Sequence, residues 1–269
     1  MSMLILGMIC SFFSVNKICA KMINLQSQLT VTTKKKTIDI KITILNTGSA
    51  AAYDIITRIH FLDILKESKI IHHLRPNLAE TITLEFDLPK DIKGHFPLLA
   101  EIQFHDMNLF PFYSLRCTVI NIKSQEQESR LAVQVPDLKL SAQNTINVHV
   151  ENMDFVDRNI FVQMIVSRAF TCEKNKHFIF LQKGLSADIE YCILKKDALS
   201  ATTHTGYVLL TFKDNTVSYA EVKPFNIYIK PVDKLFIFEK SFAAKTCIVF
   251  GLIWILFLTY VSFRKKTDF

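Results

Sequence analysis

The chain has 269 residues, 49% of them hydrophobic and 21% charged, with six glycines, six cysteines and a formal net charge of +7. Between residues 21 and 241 the balance is 27 basic to 24 acidic side chains, which argues against the clustered basic footprint of a nucleic-acid binder. The scarcity of glycine, and the lack of any G-x-x-x-x-G-K-[ST], G-x-G-x-x-G or G-x-S-x-G pattern, argue against phosphate-cradling loops and nucleophile elbows.

The first element is apolar. Residues 3–15 have the length of a signal-peptide h-region and are followed by Asn16, Lys17, Ile18, Cys19 and Ala20. Ala20 suits a cleavage site, although Ile18 is larger than the small residue preferred there and no Lys or Arg precedes the run. A cleaved signal peptide over 1–20 is expected, with an uncleaved anchor as the alternative.

Strands come next. Residues 37–44, Thr-Ile-Asp-Ile-Lys-Ile-Thr-Ile, alternate polar and apolar without a break, the period-two pattern of a strand with one buried face. Thr145-Ile146-Asn147-Val148-His149-Val150 repeats the pattern. Matching Ile38, Ile40 and Ile42 to Ile146, Val148 and Val150 gives an offset of 108 residues. The offset returns where Ile102-Gln103-Phe104-His105-Asp106 meets Leu210-Thr211-Phe212-Lys213-Asp214, and falls to 107 between Ile82 and Ile189. Co-linear matches of this kind indicate an internal duplication. Several short alternating strands per half are the pattern of an immunoglobulin-like sandwich. The expected fold is therefore all-β, with tandem immunoglobulin-like β-sandwiches over 25–122 and 137–230. The polar stretch 123–136 reads as the linker. Phe178-Ile179-Phe180-Leu181 reads as a strand buried on both faces.

Within the first half, the strand 40–45 is followed by Asn46-Thr47-Gly48, Ser49, Ala50-Ala51-Ala52 and a second strand from Tyr53 to Ile55. This arrangement resembles the CARDB-like immunoglobulin-like modules of bacteria and archaea, whose pattern is strand, Asn-x-Gly, small residues, strand. Asn46 and Gly48 supply the turn, with glycine free to take positive φ. The small residues let the chain cross between sheets. In the second half Asn152-Met153-Asp154-Phe155-Val156-Asp157 departs from the pattern, lacking glycine and small residues. The resemblance implies a spacer or binding platform on an envelope protein.

The last element is the apolar run 242–263, uncharged from Thr246 onwards and closed by Arg264, Lys265 and Lys266. A run of about 20 apolar residues is long enough to cross a bilayer as a helix, and basic residues gather on the cytoplasmic side. The expectation is a juxtamembrane stretch 231–241, a transmembrane helix 242–263 and a cytoplasmic tail 264–269. The bulk of the chain would then be extracytoplasmic, in the periplasm or at the cell surface.

Candidate chemistry is sparse. Only Cys117, Cys172 and Cys192 lie between the apolar ends. Cys172 and Cys192 could form a disulfide in an oxidising compartment, although alternation puts Cys192 on the face opposite Ile189 and Tyr191. His72 and His73 would point to opposite faces of a strand and not converge on a metal. Asp106 and Asp214 read as turn residues. No catalytic residue, metal ligand or cofactor is expected. The cluster Leu109, Phe110, Phe112 and Tyr113 is the candidate partner contact, since exposed apolar patches mark interaction sites. Its counterpart, Val217-Ser218-Tyr219-Ala220-Glu221, is smaller and more polar.

The sequence thus points to a non-catalytic, membrane-anchored interaction or scaffolding subunit of a cell-envelope assembly, with other membrane or envelope proteins as partners. The alternative is a carbohydrate-binding module that presents Phe112 and Tyr113 to a polysaccharide at the membrane surface.

Overall fold

The structure, a computed structural model, describes residues 22–124, 130–214, 216–231, 250–251 and 253–255. The leader expected over 1–20, residues 232–241, the tail 264–269 and most of the run 242–263 lie outside them. Residues 250–251 and 253–255 are helical, and no helix among the described residues is long and apolar enough to cross a membrane. The chain divides into two compact units, Met1–Lys230 and Pro231–Phe269.

The first unit is all-β. Its first half contains β1 (Leu25–Thr33), β2 (Thr37–Asn46), β3 (Ala52–Phe61), β4 (Ile64–Glu67), β5 (Ile71–Leu74), β6 (Ala79–Asp87), β7 (Gly94–His105) and β8 (Pro111–Ile122). Its second half contains β9 (Leu131–Gln134), β10 (Leu138–Leu140), β11 (Gln143–Asn152), β12 (Arg158–Ile165), β13 (Phe170–Cys172), β14 (Lys176–Leu181), β15 (Ser186–Lys195), β16 (Thr203–Asp214) and β17 (Val217–Ile229). The stretch expected as linker therefore contains β9. Leu131 and Val133 of that strand are buried in the second core.

Each half is a two-layer sandwich. In the first, the sheet β1-β2-β6 faces β3, β5, β7 and β8. The alternating Ile38, Ile40, Ile42 and Ile44 of β2 are buried against Ile55, Ile59, Phe61, Leu98 and Ile102. In the second, the sheet β13-β15-β11-β9 faces β12, β14, β16 and β17. There Ile146, Val148 and Val150 meet Ile160, Val162, Met164, Val208 and Leu210. Both cores follow from period-two patterning, because alternate side chains of a strand share one face.

One buried asparagine organises the crossing between sheets in each half. Asn46 Nδ2 donates to Ala50 O at 2.8 Å and Leu74 O at 3.0 Å, while its Oδ1 accepts from Gly48 N–H at 3.0 Å. Asn152 does the same: Nδ2 to Val156 O at 2.9 Å and Leu181 O at 3.1 Å, and Oδ1 from Asp154 N–H at 3.1 Å. Both side chains are fully buried. The second half thus keeps the crossing although its sequence departs from the Asn-x-Gly pattern, because the hydrogen bonds need only the asparagine and the backbone. Gly48 has no positive φ. It is needed for close approach, since a Cβ there would overlap the carbonyl of Met22.

The asparagines also correct the repeat register. Asn152 lies 106 residues after Asn46, so Ile40 corresponds to Ile146 and not Ile38. The true offset of β2 and β11 differs by two from the expected 108. A slip of two leaves every side chain on its own face, so alternation alone does not detect it.

The two halves are also less separate than expected. β17 pairs with β7 at Ser218 and Gly94, joining one sheet from each half into a ten-stranded sheet. Gly94 has φ +125, and a Cβ would overlap the backbone of Ser218, so glycine makes the joint possible. Cys117, Ile165 and Leu209 form a small core between the halves, with Leu99, Leu115, Tyr207, Ala220 and Val222 packed on it. Arg168 Nε meets the buried Glu101 carboxylate at 3.0 Å, and Tyr207 O–H donates to Leu115 O at 3.3 Å.

Candidate partner-binding site

The hairpin expected to carry the partner contact is mostly structural. Asp106 shapes its tip: Oδ1 accepts from Asn108 N–H at 2.8 Å and Phe110 N–H at 2.9 Å. Leu109 sits at φ 62 and is 72% exposed. The three aromatics are half-buried. Phe112 stacks on Phe104 with ring centres 5.3 Å apart, and Phe110 meets Phe112 edge-on at 5.3 Å. Phe112 packs on the first core and Tyr113 on the second. Neither is displayed on a flat outer surface. Asp214 ends β16 where the chain turns into β17, and its carboxylate also pairs with Arg158 Nη1 at 2.8 Å, beside Asp154, which meets Nη2 at 2.6 Å.

The counterpart of Phe112 in the second half is Tyr219, which stacks on Phe212 at 4.8 Å just as Phe112 stacks on Phe104. Tyr219 also lines an open cleft between the halves, of about 950 Å³. One wall is the outer face of β14 and β12, with Phe161, Phe178, Phe180 and Asn159. The other is Leu62, Asp63, Pro89, Phe96 and Pro97 of the first half. His95 closes the floor. It is buried, stacks on Tyr219 at 6.1 Å, and its Nδ1 finds no hydrogen-bond partner among the described residues.

Phe178 is 84% exposed and Phe180 is 59% exposed. The expectation that β14 is buried on both faces fails because only its inner face is covered by the opposite sheet. Ile179 and Leu181 turn inward, and Phe178 and Phe180 outward. Phe178 lies on Phe161 of the neighbouring strand with centres 4.8 Å apart, an aromatic cross-strand pair. The repeat shows how specific this surface is. Leu74 and Leu181 accept equivalent asparagine hydrogen bonds, so Ile71 and His73 stand where Phe178 and Phe180 do.

The possible Cys172–Cys192 bridge is not formed. Cys117, Cys172 and Cys192 are free thiols. Cys172 pairs with Ile193 and packs on the inner core, whereas Cys192 pairs with Thr145 on the outer face and accepts from Gln143 Nε2 at 3.0 Å. The pleat therefore puts the two sulfurs on opposite faces. Burial, then the nearby Cys192 and Glu173, push the Cys172 thiol up to about 11. Burial pushes Cys117 up to about 12, opposed in part by a hydrogen bond from the Thr118 backbone. Neither is poised as a thiolate nucleophile. His72 and His73 lie on β5. His72 Nδ1 is 3.2 Å from Asp54, and the His73 ring packs beside Tyr53 at 5.2 Å. Among the described residues no group of three His, Cys, Asp or Glu side chains could hold a metal ion.

No protein-family model matches the chain, and no curated protein matches its sequence. Among solved structures, trypsin-activated alpha-2-macroglobulin from Escherichia coli is similar with a TM-score of 0.33 and 7% identity, over 78% of this chain and 18% of that one. Salmonella alpha-2-macroglobulin reacted with methylamine gives 0.31 and 9%, over 76% of this chain and 16% of that one. A protein of unknown function from Porphyromonas gingivalis W83 gives 0.33 and 9%, over 77% of this chain and 99% of that one. The chain spans less than a fifth of the length of either macroglobulin. These likenesses are too distant to name a family.

Proposed function

We propose that this chain is a non-catalytic, membrane-anchored interaction subunit of a cell-envelope assembly. In this reading two tandem immunoglobulin-like sandwiches are displayed outside the cytoplasm. The run 242–263 is their membrane helix, and the basic tail 264–269 is cytoplasmic. The repeated buried-asparagine crossing at Asn46 and Asn152 supports the tandem reading and the likeness to CARDB-like modules. Partner binding rests on one observation, the open cleft whose outer wall exposes Phe178 and Phe180. Exposed aromatics of this kind mark interaction sites. The contact is thus assigned to β14 rather than to the 109–113 hairpin.

A second reading keeps the same cleft but fills it with a polysaccharide. Phe161 and Phe178 form an aromatic platform with Asn159 and Asp63 nearby, the mix of stacking and polar groups that a sugar uses.

The test uses the full chain with a C-terminal tag. The protein should stay in the membrane after a carbonate wash, with its tag shielded from protease added outside. A protein partner captured by crosslinking should disappear in the Phe178→Ser, Phe180→Ser double variant and persist in Leu109→Ser. Release by carbonate would sink the anchor. A partner set indifferent to the double variant would sink the cleft, and binding of isolated envelope polysaccharide in its place would select the second reading.

A further inference from the structure

We infer that the open edge of β14 takes up an extended, acidic polypeptide segment of a partner, which adds as a strand and lays alternate apolar side chains on Phe178 and Phe180. The inference rests on the reading of this cleft as the partner-binding site.

Backbone geometry carries it. Among the described residues β14 pairs with β12 alone. Met164 N–H donates to Asn175 O at 2.8 Å, and bonding residues alternate along an antiparallel ladder. The N–H and C=O groups of Lys176, Phe178 and Phe180 therefore turn to the free edge. The side chains of the same three residues are exposed. An unpaired edge with exposed aromatics is a template for another strand. A peptide adding to it gains main-chain hydrogen bonds, and its alternate side chains read the surface.

Charge selects the occupant. Lys174, Lys176 and Lys183 are exposed around the edge, and Lys213 lines the cleft. The nearby acids are Glu173, Asp63 and Asp157, and Asp157 already accepts from Lys183 N–H at 2.9 Å. Antiparallel pairing of two copies of β14 about Ile179 would set Lys176 of one chain opposite Gln182 and Lys183 opposite Asn175 of the other, crowding Lys174, Lys176 and the partner copy's Lys183 at each end of the joint. That concentration of positive charge disfavours a second copy and favours an acidic segment. A glycan could stack on the rings but has no row of donors and acceptors at strand spacing to meet the open edge.

The test titrates three fluorescent peptides against the full-length chain: one alternating Val and Glu, the same peptide N-methylated at every second residue, and one alternating Val and Lys. The Val–Glu peptide should bind saturably. N-methylation, exchange of Glu for Lys, and the Phe178→Ser, Phe180→Ser variant should each weaken binding by roughly tenfold or more, with circular dichroism of the variant unchanged. Absence of saturable binding, or binding indifferent to N-methylation, overturns strand addition. So does crosslinking of residue 178 to a second copy of the chain. If the peptide fails while the crosslinked partner still depends on Phe178 and Phe180, the strand-addition inference is wrong and the cleft stands. If neither depends on those rings, both fall.

Discussion

Asn46 and Asn152 are the most informative single residues. Each is fully buried and makes three hydrogen bonds that tie the crossing to the opposite sheet. Replacing Asn152 by Ala would leave the buried Leu181 carbonyl and the half-buried Val156 carbonyl without this donor and the Asp154 N–H without its acceptor. The expected loss is about 2–4 kcal/mol, since an unsatisfied buried group costs roughly 1–3 kcal/mol. Urea unfolding of Asn152→Ala and Asn46→Ala checks this, and equal losses would support their equivalence. The first asparagine was legible in the sequence because a glycine and small residues surround it. The second was not, because its neighbours Met153, Phe155 and Val156 hide a role that depends only on the side-chain amide and the backbone.

His204 gives a second prediction at this scale. Burial lowers its pKa from the ordinary 6.5, while Thr202 Oγ1 lies 3.0 Å from Nε2 and Phe170 packs edge-on at 5.0 Å. The unfolded chain takes up this proton near 6.5 and the folded chain only at lower pH. The stabilising contribution is therefore complete above that value and declines as pH falls below it. Thermal melts between pH 7.5 and 5 should show the wild type losing stability, and His204→Gln should lose less over the same interval, within about 1 kcal/mol of flat.

At the scale of elements, two aromatic strands exchange the roles that their sequences suggested. The β8 aromatics looked like a surface patch and are built into the cores. The β14 aromatics looked like core and face out. Pattern assigns Phe178 and Phe180 to one face, but only topology tells whether that face is covered. The absence of a layer over the outer face of β14 and β12, which no short sequence window encodes, decides it. Stability should separate the two. Phe112→Ser removes a ring stacked on Phe104 and packed on the first core, with an expected cost of about 2–3 kcal/mol. Phe178→Ser alters an exposed ring and should shift stability by no more than about 0.5 kcal/mol. Chemical denaturation of both variants measures the contrast, and a large loss in Phe178→Ser would mean that the ring is packed. The repeat was legible at this scale, but its register between β2 and β11 was not. Period-two alternation is indifferent to a slip of two, and only the buried asparagine fixes the alignment.

For the whole first unit, the point that sequence did not reveal is the joint. Two modules and a linker were expected. The halves instead share a continuous sheet through Ser218 and Gly94, a small core around Cys117, Ile165 and Leu209, and the Arg168–Glu101 ion pair. A close backbone approach at one glycine leaves no periodic trace. Gly94→Ala should therefore uncouple the halves: its φ of +125 is strained for alanine, and a Cβ would overlap Ser218. The wild type should unfold in one cooperative calorimetric transition and Gly94→Ala in two. A single unshifted transition in the variant would show that the joint does not hold the halves together. The cleft depends on the same joint, because its walls come from opposite halves.

The account turns on β14 as the surface that meets a partner. The most direct measurement replaces Phe178 by a photo-crosslinking amino acid in the full chain and irradiates intact cells. Leu109 and Glu190 carry the same probe as controls on the hairpin tip and on the outer face of the opposite sheet. The account predicts a defined crosslinked protein from position 178, absent at 109 and 190 and lost when Phe180→Ser is added. Crosslinks from 109 instead, or none from 178 that depend on Phe180, would contradict it.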